Sequence, residues 1–389
     1  MQNKACGDII FAVMKKVLGA VGRFIKSEIV LCAAVLLAIV SLFFVPPDSE
    51  YLGYVDWDTL ALLFSLMAVM KGFQGAGVFS YLTGALLKKA NTSRKLMLVL
   101  VYLPFFMSML VTNDVSLITF VPFGIMALKA ASLERLVIPL VILQTLAANL
   151  GSMLTPMGNP QNLYLYNLSG MGFGELILCM LPYVALSAIG LFAVIMCFKS
   201  VPVGEVDVET KLSGVFSLTW PAVGFAVCLL GLFDLIPPLI IAAAMLVFLL
   251  FANRKVLIKV DYALLCTFIA LFIFIGNMGR VEAFRTFLSS VIGGNEVPVA
   301  VLASQVISNV PAALLLSGFT DAWSGLLIGC NIGGLGTLIA SMASLISYKQ
   351  IAKEYPGLRA KYLLKFTIYN VAFLAVLIGL YYLLALFLY

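Results

Sequence analysis

Asn149-Leu-Gly-Ser-Met-Leu-Thr-Pro-Met-Gly-Asn-Pro-Gln-Asn162 is the stretch on which the fold turns. It is the densest polar run within an apolar region, and it carries no charge. Proline removes a helix hydrogen bond and glycine weakens a helix, so two of each cannot sit in an unbroken helix without cost. A surface loop is the competing reading. The lack of charge argues against it, and so does a second uncharged run, Asn331-Ile-Gly333-Gly-Leu-Gly336-Thr337, with Ser341 beyond it. Both read as helices interrupted inside a membrane, each forming the wall of a site.

The surroundings fit that reading. Of 389 residues, 63% are hydrophobic and 11% charged, against about 25% charged in an ordinary soluble domain. Runs at 28–45, 57–73, 176–198, 215–233, 236–252, 262–276 and 366–389 approach the length of about 20 residues that spans a bilayer as a helix. The seven cysteines are scattered with no CxxC pair, so neither a disulfide framework nor a thiolate metal site is expected. The chain has no histidine. That removes the commonest general base and metal ligand, so no catalytic residue is assigned. Residues 1–27, with Lys15, Lys16, Arg23 and Lys26, read as a basic amphipathic segment at the cytoplasmic surface.

Charge sets the topology. The loop at 46–58 holds Asp48, Glu50, Asp56 and Asp58 and no basic residue, so it lies outside; Lys88, Lys89, Arg94 and Lys95 lie inside. Continuing along the chain puts every Lys and Arg inside or at the inner edge except Arg280 and Arg285, with the N-terminus inside and the C-terminus outside. The tally requires 96–128 and 296–320 each to enter and leave on one side. Each flank of Ser308-Asn309 has about 11 apolar residues and would rise about 17 Å as a helix, against a hydrocarbon core of about 30 Å. A re-entrant hairpin fits better than two spans. For 96–128 the sequence is less decisive: its flanks, 96–111 and 115–128, could be two thin spans without changing the topology, but a hairpin is the expected reading.

Two halves overlay. Asp58 before an apolar helix matches Asp261 before another; Thr112-Asn113-Asp114 matches Ser308-Asn309-Val310; Asn149-Leu-Gly151-x-x-x-Thr155 matches Asn331-Ile-Gly333-x-x-x-Thr337. The expected architecture is an all-α polytopic membrane protein of about nine spanning helices plus two re-entrant hairpins in two inverted repeats. The first repeat is 28–198, with inward hairpin 96–128 and broken helix 136–163. A cytoplasmic linker, 199–214, and a connecting helix, 215–235, lead to the second repeat, 236–389, with outward hairpin 296–320 and broken helix 322–348. Paired broken segments in inverted halves mark a transporter site near the midplane, because only a protein or aqueous cavity can satisfy unwound peptide there.

The tips differ. An Asp at depth is a functional-site candidate, and Asp114 can ligate Na+ as a carboxylate or carry a proton; the plainer reading is an Asx turn closing the tip. Ser308-Asn309-Val310-Pro311 has no charge; it offers an amide and a hydroxyl to an ion or carboxylate, or serves as the cap of the helix that Pro311 begins. Lys71, ending an apolar helix, either meets an anion or Asp114, or snorkels to the inner interface.

At these residues the chain resembles the ion transporter superfamily, which includes divalent anion–sodium symporters, citrate permeases, arsenite efflux permeases and NhaD-type sodium/proton antiporters. Thr112-Asn-Asp-Val, Gly151 to Asn162, Ser304-Gln-Val-Ile-Ser-Asn-Val-Pro-Ala312 and Asn331 to Gly336 carry the resemblance, which covers nearly everything after residue 28. YbiR-type inner-membrane proteins are similar throughout. The resemblance implies an elevator arrangement, a homodimer and two cation sites. The first draws on Thr112, Asn113, Gly151, Thr155 and Gly158, with Asp114 added from its depth. The second draws on Ser308, Asn309, Gly333 and Thr337. Substrate contacts fall to Asn113, Asn159, Pro160, Asn309, Val310 and Ser341. Dicarboxylate symporters carry Ser-Asn-Thr at both tips; here Asp114 and Val310 take the third place, and an Asp there looks more like the arsenite and antiporter branches.

The expected function is secondary active transport of a small inorganic or carboxylate anion at the inner (cytoplasmic) membrane, coupled to Na+ or H+. The alternatives are a Na+/H+ antiporter or an arsenite/antimonite efflux permease, and more remotely an intramembrane enzyme. No cofactor is expected beyond Na+ as a coupling ion, no metal beyond that ion, and no nucleic-acid partner.

Overall fold

The computed structural model describes residues 28–88, 90–204 and 212–388, with Lys15, Gly22, Phe24 and Ile25. Apart from those four residues, the amphipathic segment expected at 1–27 lies outside the described residues, as do residues 205–211 of the linker. Among those described the secondary structure is helical, apart from one isolated bridge between Thr92 and Pro202. Six helices are long and apolar enough to cross a membrane, or eight if each sharply bent pair counts as one span. The chain is a polytopic helical membrane protein.

Two units are compact in themselves. In the smaller, built from residues up to Val55 and from Asp261–Phe284, α1 (Ile29–Ser41) and a single turn, α2 (Tyr51–Tyr54), pack with α13 (Tyr262–Gly279). Asn277 of α13 donates its amide to Ser41 Oγ (2.9 Å) and to Tyr51 OH (2.8 Å), which fastens the three together. Arg280 reaches Asp48 (2.6 Å) and Tyr54 OH (2.9 Å). Its guanidinium holds the Asp48 carboxyl below the usual carboxylate range, chiefly through the hydrogen bond.

The larger unit opens with α3 (Trp57–Gly75), α4 (Val78–Leu87), α5 (Ser93–Met107), α6 (Asn113–Ala130), α7 (Val137–Ser152), α8 (Pro160–Ser169) and α9 (Phe173–Met196). It continues with α10 (Val215–Leu232), α11 (Pro238–Ala252) and α12 (Arg254–Leu257). After α13 follow α14 (Glu282–Ile292), α15 (Glu296–Ile307), α16 (Asn309–Ser317), α17 (Trp323–Gly333), α18 (Met342–Glu354) and α19 (Arg359–Leu388). Asp56 caps α3, accepting from Thr59 N (2.9 Å), as Asp261 caps α13 through Leu264 N (3.0 Å). The helix-opening counterpart of Asp261 is therefore Asp56, two residues before the Asp58 of the sequence overlay. A cap side chain accepts from an N–H two or three residues further along the chain, and Asp58 already lies inside the first turn.

α7 is buried on all faces, as expected of a helix apolar all round. Gln144 in its middle donates to Leu100 O (2.9 Å) of α5 and Phe120 O (3.1 Å) of α6. α5 and α6 meet at 108–112, while α15 and α16 meet at Ser308, whose φ of +76° is a left-handed conformation that a serine adopts only at a cost.

The packing order decides where the site lies. α17 packs on α15 and α16, as α7 does on α5 and α6. The half-helices beyond the breaks do the opposite. α8 packs on α16 and α17, and α18 packs on α6 and α7. Each break hands its second half to the helices of the other break, so the two interruptions meet.

Candidate functional site

The meeting place is built of uncharged polar groups. Asn113, the first residue of α6, donates Nδ2 to Asn149 Oδ1 (3.1 Å) near the end of α7. The same Asn149 oxygen accepts from Ser341 Oγ (3.2 Å), the residue that precedes α18. Next to Ser341, the carbonyl of Ala340 accepts from Asn309 N (3.0 Å) and Ser308 Oγ (3.4 Å) at the head of α16. An unbroken chain of hydrogen bonds thus runs from one tip to the other through Asn149 and the Ala340–Ser341 peptide.

A second lacing joins the breaks. Asn159 Nδ2 donates to Asn331 Oδ1 (3.1 Å), and Asn331 Nδ2 donates to Asn162 Oδ1 (2.6 Å) and Leu327 O (2.8 Å). Asn162, at 0% exposure, sends its own Nδ2 to the carbonyls of Ser152 (3.3 Å), Met153 (3.1 Å) and Thr155 (3.2 Å), which α7 leaves unpaired where it ends. Asn159 caps α8, accepting from Asn162 N (2.9 Å), and Pro160 fills the first helical position, where no N–H is needed.

Glycines allow this closeness. A Cβ on Gly151 would collide with Phe105 O, and one on Gly158 with Ser152 O. A Cβ on Gly333 would lie 2.7 Å from Ser304 Oγ.

The two tips share one turn: Asn113 Oδ1 accepts from Asp114 N (2.9 Å) and Asn309 Oδ1 from Val310 N (3.0 Å). Both side-chain oxygens are therefore engaged in closing the tip. Asp114 is half-buried in the first turn of α6, and Val310 is buried. Thr112 is half-buried ahead of it, and Thr155 donates to Met109 O, tying the first break to the first tip. On α3, Lys71 Nζ lies 3.5 Å from Gln74 Oε1, and Gln74 donates to Thr119 Oγ1 (3.2 Å) on α6.

Of the expected cation residues, the structure gathers Asn113, Gly151, Thr155 and Gly158 at the first break, and Ser308, Asn309 and Gly333 at the second. Thr337 stands apart: it is exposed and bound to Gln305, through Thr337 N to Oε1 (2.8 Å) and Thr337 Oγ1 to the Gln305 carbonyl (3.3 Å). Sequence reasoning passed over Gln305, which also donates to Gly333 O and Leu335 O (2.9 Å each). It also assigned no contact to Asn149, Asn162 or Asn331. The available signal was a glutamine or asparagine placed three or four residues from a break inside an apolar helix. Among the described residues no group of three or more His, Cys, Asp or Glu is placed to hold a metal ion.

N-terminal ends of α6, α8, α16 and α18 and C-terminal ends of α7 and α17 all reach this network. N-termini present N–H groups and partial positive charge; C-termini present carbonyls and partial negative charge. Such a site is equipped for anions and cations together.

The family model described as citrate transporter matches residues 9–324. An uncharacterized transporter of Methanocaldococcus jannaschii is 33% identical over 303 residues, 77% of this chain and 82% of that protein. The inner membrane protein YbiR of Escherichia coli is 32% identical over 318 residues, 79% and 83% of the two chains. An uncharacterized transporter of Mycobacterium tuberculosis is 22% identical over 373 residues, 83% and 85% of the two chains.

Proposed function

The chain belongs to the citrate transporter family, and on that premise we propose that it is a secondary active transporter of a small anion, coupled to Na+ or H+, working by elevator-type alternating access. The observation that carries this reading is the hydrogen-bonded chain from Asn113 through Asn149 and Ala340–Ser341 to Asn309. It makes two tips and two breaks into one polar body within apolar surroundings, which is what a carrier needs to move a hydrophilic cargo as a unit.

In this reading 96–128 and 296–320 are re-entrant hairpins of inverted repeats, with the N-terminus inside and the C-terminus outside, in an inner-membrane homodimer. One coupling cation is held by Thr112, Asn113 and Asp114 with carbonyls of Gly151–Gly158. The other is held by Ser308 and Asn309 with Gly333–Thr337. The anion contacts Asn113, Asn159, Pro160, Asn309, Val310 and Ser341. Asp114 opposes an anion unless Na+ or H+ neutralises it, so coupling is obligatory rather than additive. The protein is a carrier and not an enzyme.

The test is counterflow of labelled citrate, succinate, phosphate or sulfate in proteoliposomes under imposed Na+ and pH gradients. Gradient-dependent accumulation of one of these is expected. The reading fails if none accumulates.

One observation favours a second reading. A carboxylate stands in the first tip only, at the position that Val310 takes in the other. That asymmetry suits a Na+/H+ antiporter in which Asp114 exchanges the two ions. Na+-driven proton movement with no anion present supports it.

A further inference from the structure

Positions 149 and 331 occupy the same place in the two halves, yet their side chains are used differently. Asn331 spends both ends of its amide: Oδ1 accepts from Asn159, and Nδ2 donates to Asn162 and Leu327 O. Asn149 spends one. Its Oδ1 takes two hydrogen bonds, from Asn113 Nδ2 and Ser341 Oγ, which fix the amide plane and settle which atom is nitrogen. Its Nδ2 finds no acceptor among the described residues, although Asn149 is 4% exposed. An unpaired buried donor is costly, and natural structures retain few of them.

The electrostatic setting says what the donor is for. Asn113 opens α6 and Ser341 precedes α18, so the fixed amide lies at two helix N-termini. The chain of hydrogen bonds continues to the head of α16. N–H-rich helix ends favour negative charge, and an outward NH2 repels a cation. Across the first break, Gln161 in the opening turn of α8 is 1% exposed, with neither Oε1 nor Nε2 partnered among the described residues. Polar capacity is therefore left over on both flanks of that break.

We infer that Asn149 Nδ2 is a hydrogen-bond donor to an oxygen of the transported anion, at an oxyanion subsite where the first tip meets the second break. This rests on the anion-transport reading above and assigns the cargo's class, an oxyanion. It also gives Asn113 and Ser341 a second job beside their own anion contacts: they hold the amide still, so that Asn149 too touches the cargo.

Asn149→Asp tests this, because a carboxylate still accepts from Asn113 and Ser341 while it loses the donor and adds a negative charge, and Asn149→Leu, which adds no charge, separates those two effects. The full chain is reconstituted, and uptake of citrate, succinate, phosphate and sulfate is measured for wild type and variant. For whichever anion the wild type carries, loss of a hydrogen bond to a charged oxygen should raise KM about 10–100-fold with kcat changed far less. The anion's thermal stabilisation of the protein should vanish. Asn331→Asp, which loses two occupied donors, should lower the ligand-free Tm more than Asn149→Asp does. An unchanged KM in Asn149→Asp overturns the inference while leaving anion transport intact; no anion carried by the wild type overturns the reading beneath it as well. Asn149→Leu is measured by the same ligand-induced stabilisation, whether or not Asn149→Asp is recovered folded. Stabilisation equal to wild type in that variant also overturns the inference.

Discussion

Truncating Asn331 to alanine isolates the lacing between the two breaks. Three hydrogen bonds go: to Asn159 (3.1 Å), Asn162 (2.6 Å) and Leu327 O (2.8 Å). The consequences are unequal. Asn159 Nδ2 keeps a second partner, Ser152 Oγ at 3.3 Å, so it loses a bond without being stranded. Asn162 Oδ1 has no such reserve, and at 0% exposure it is left buried without its donor. An orphaned buried acceptor costs about 1–3 kcal/mol, and a lost ordinary bond about 0.5–1.5 kcal/mol. Asn331→Ala should therefore destabilise by about 2–4 kcal/mol. Pairwise couplings inside membrane proteins are smaller, averaging about 0.6 and reaching about 1.7 kcal/mol, because the unfolded chain in lipid also finds partners. A double-mutant cycle with Asn162→Ala, read by equilibrium unfolding in mixed micelles, should return a coupling in that range. Asn162→Ala alone should cost more than Asn331→Ala, since it also frees the carbonyls of Ser152, Met153 and Thr155. If the two substitutions add to within about 0.3 kcal/mol, the lacing is not an energetic unit and the reasoning fails.

Gly151→Ala would drive a methyl into Phe105 O; overpacking of about 1–3 kcal/mol is expected, with loss of transport activity disproportionate to the loss of folded protein. Asp114→Asn should abolish dependence of uptake on the Na+ or pH gradient, and gradient-driven uptake at wild-type levels would remove Asp114 from the coupling step. Gln305→Leu keeps bulk but strips the donors and acceptor that bind Gly333 O, Leu335 O and Thr337 N, so amide exchange should quicken at 333–337 before it does elsewhere. Asp48 sits below its ordinary pKa because of Arg280. Its contribution to stability is present above the unfolded value of about 4 and fades as pH falls through the lower folded value. The Tm difference between wild type and Asp48→Asn should thus be visible at pH 7 and shrink as pH falls below about 4.

Much of this was legible in the residues. Composition and apolar runs established a helical membrane protein, and proline and glycine inside apolar helices located the breaks near 153–159 and 334–341. The tips at Asn113 and Asn309 followed from polar residues flanked by short apolar arms. What the residues did not reveal is pairing across the halves. Nothing in the spacing of Asn149 and Ser341 says that they touch, because helix periodicity fixes a side chain's face and not the helix that will cover it. Asp58 was overlaid on Asp261 because both precede apolar helices, but the cap is Asp56; a cap is set by backbone geometry at the first turn, which a count of residues cannot resolve. Gln305 was passed over for a similar reason. One polar residue in an apolar helix is compatible with many partners, and its four bonds to Gly333, Leu335 and Thr337 exist only once α17 lies on α15.

The exchange of half-helices between the two breaks has a consequence for biosynthesis. Asn159 waits 172 residues for Asn331, and Asn149 waits 192 for Ser341. At about 5–20 residues per second, the ribosome needs roughly 10–40 s to cover that distance. Throughout that interval the first break is already made, while the partners that will close its amides are not. Those amides must be sheltered by water, headgroups or the insertion machinery until the second half arrives. The nascent chain is thus most vulnerable midway through translation, and a ribosomal pause between Asn162 and Asn331 would prolong the exposure.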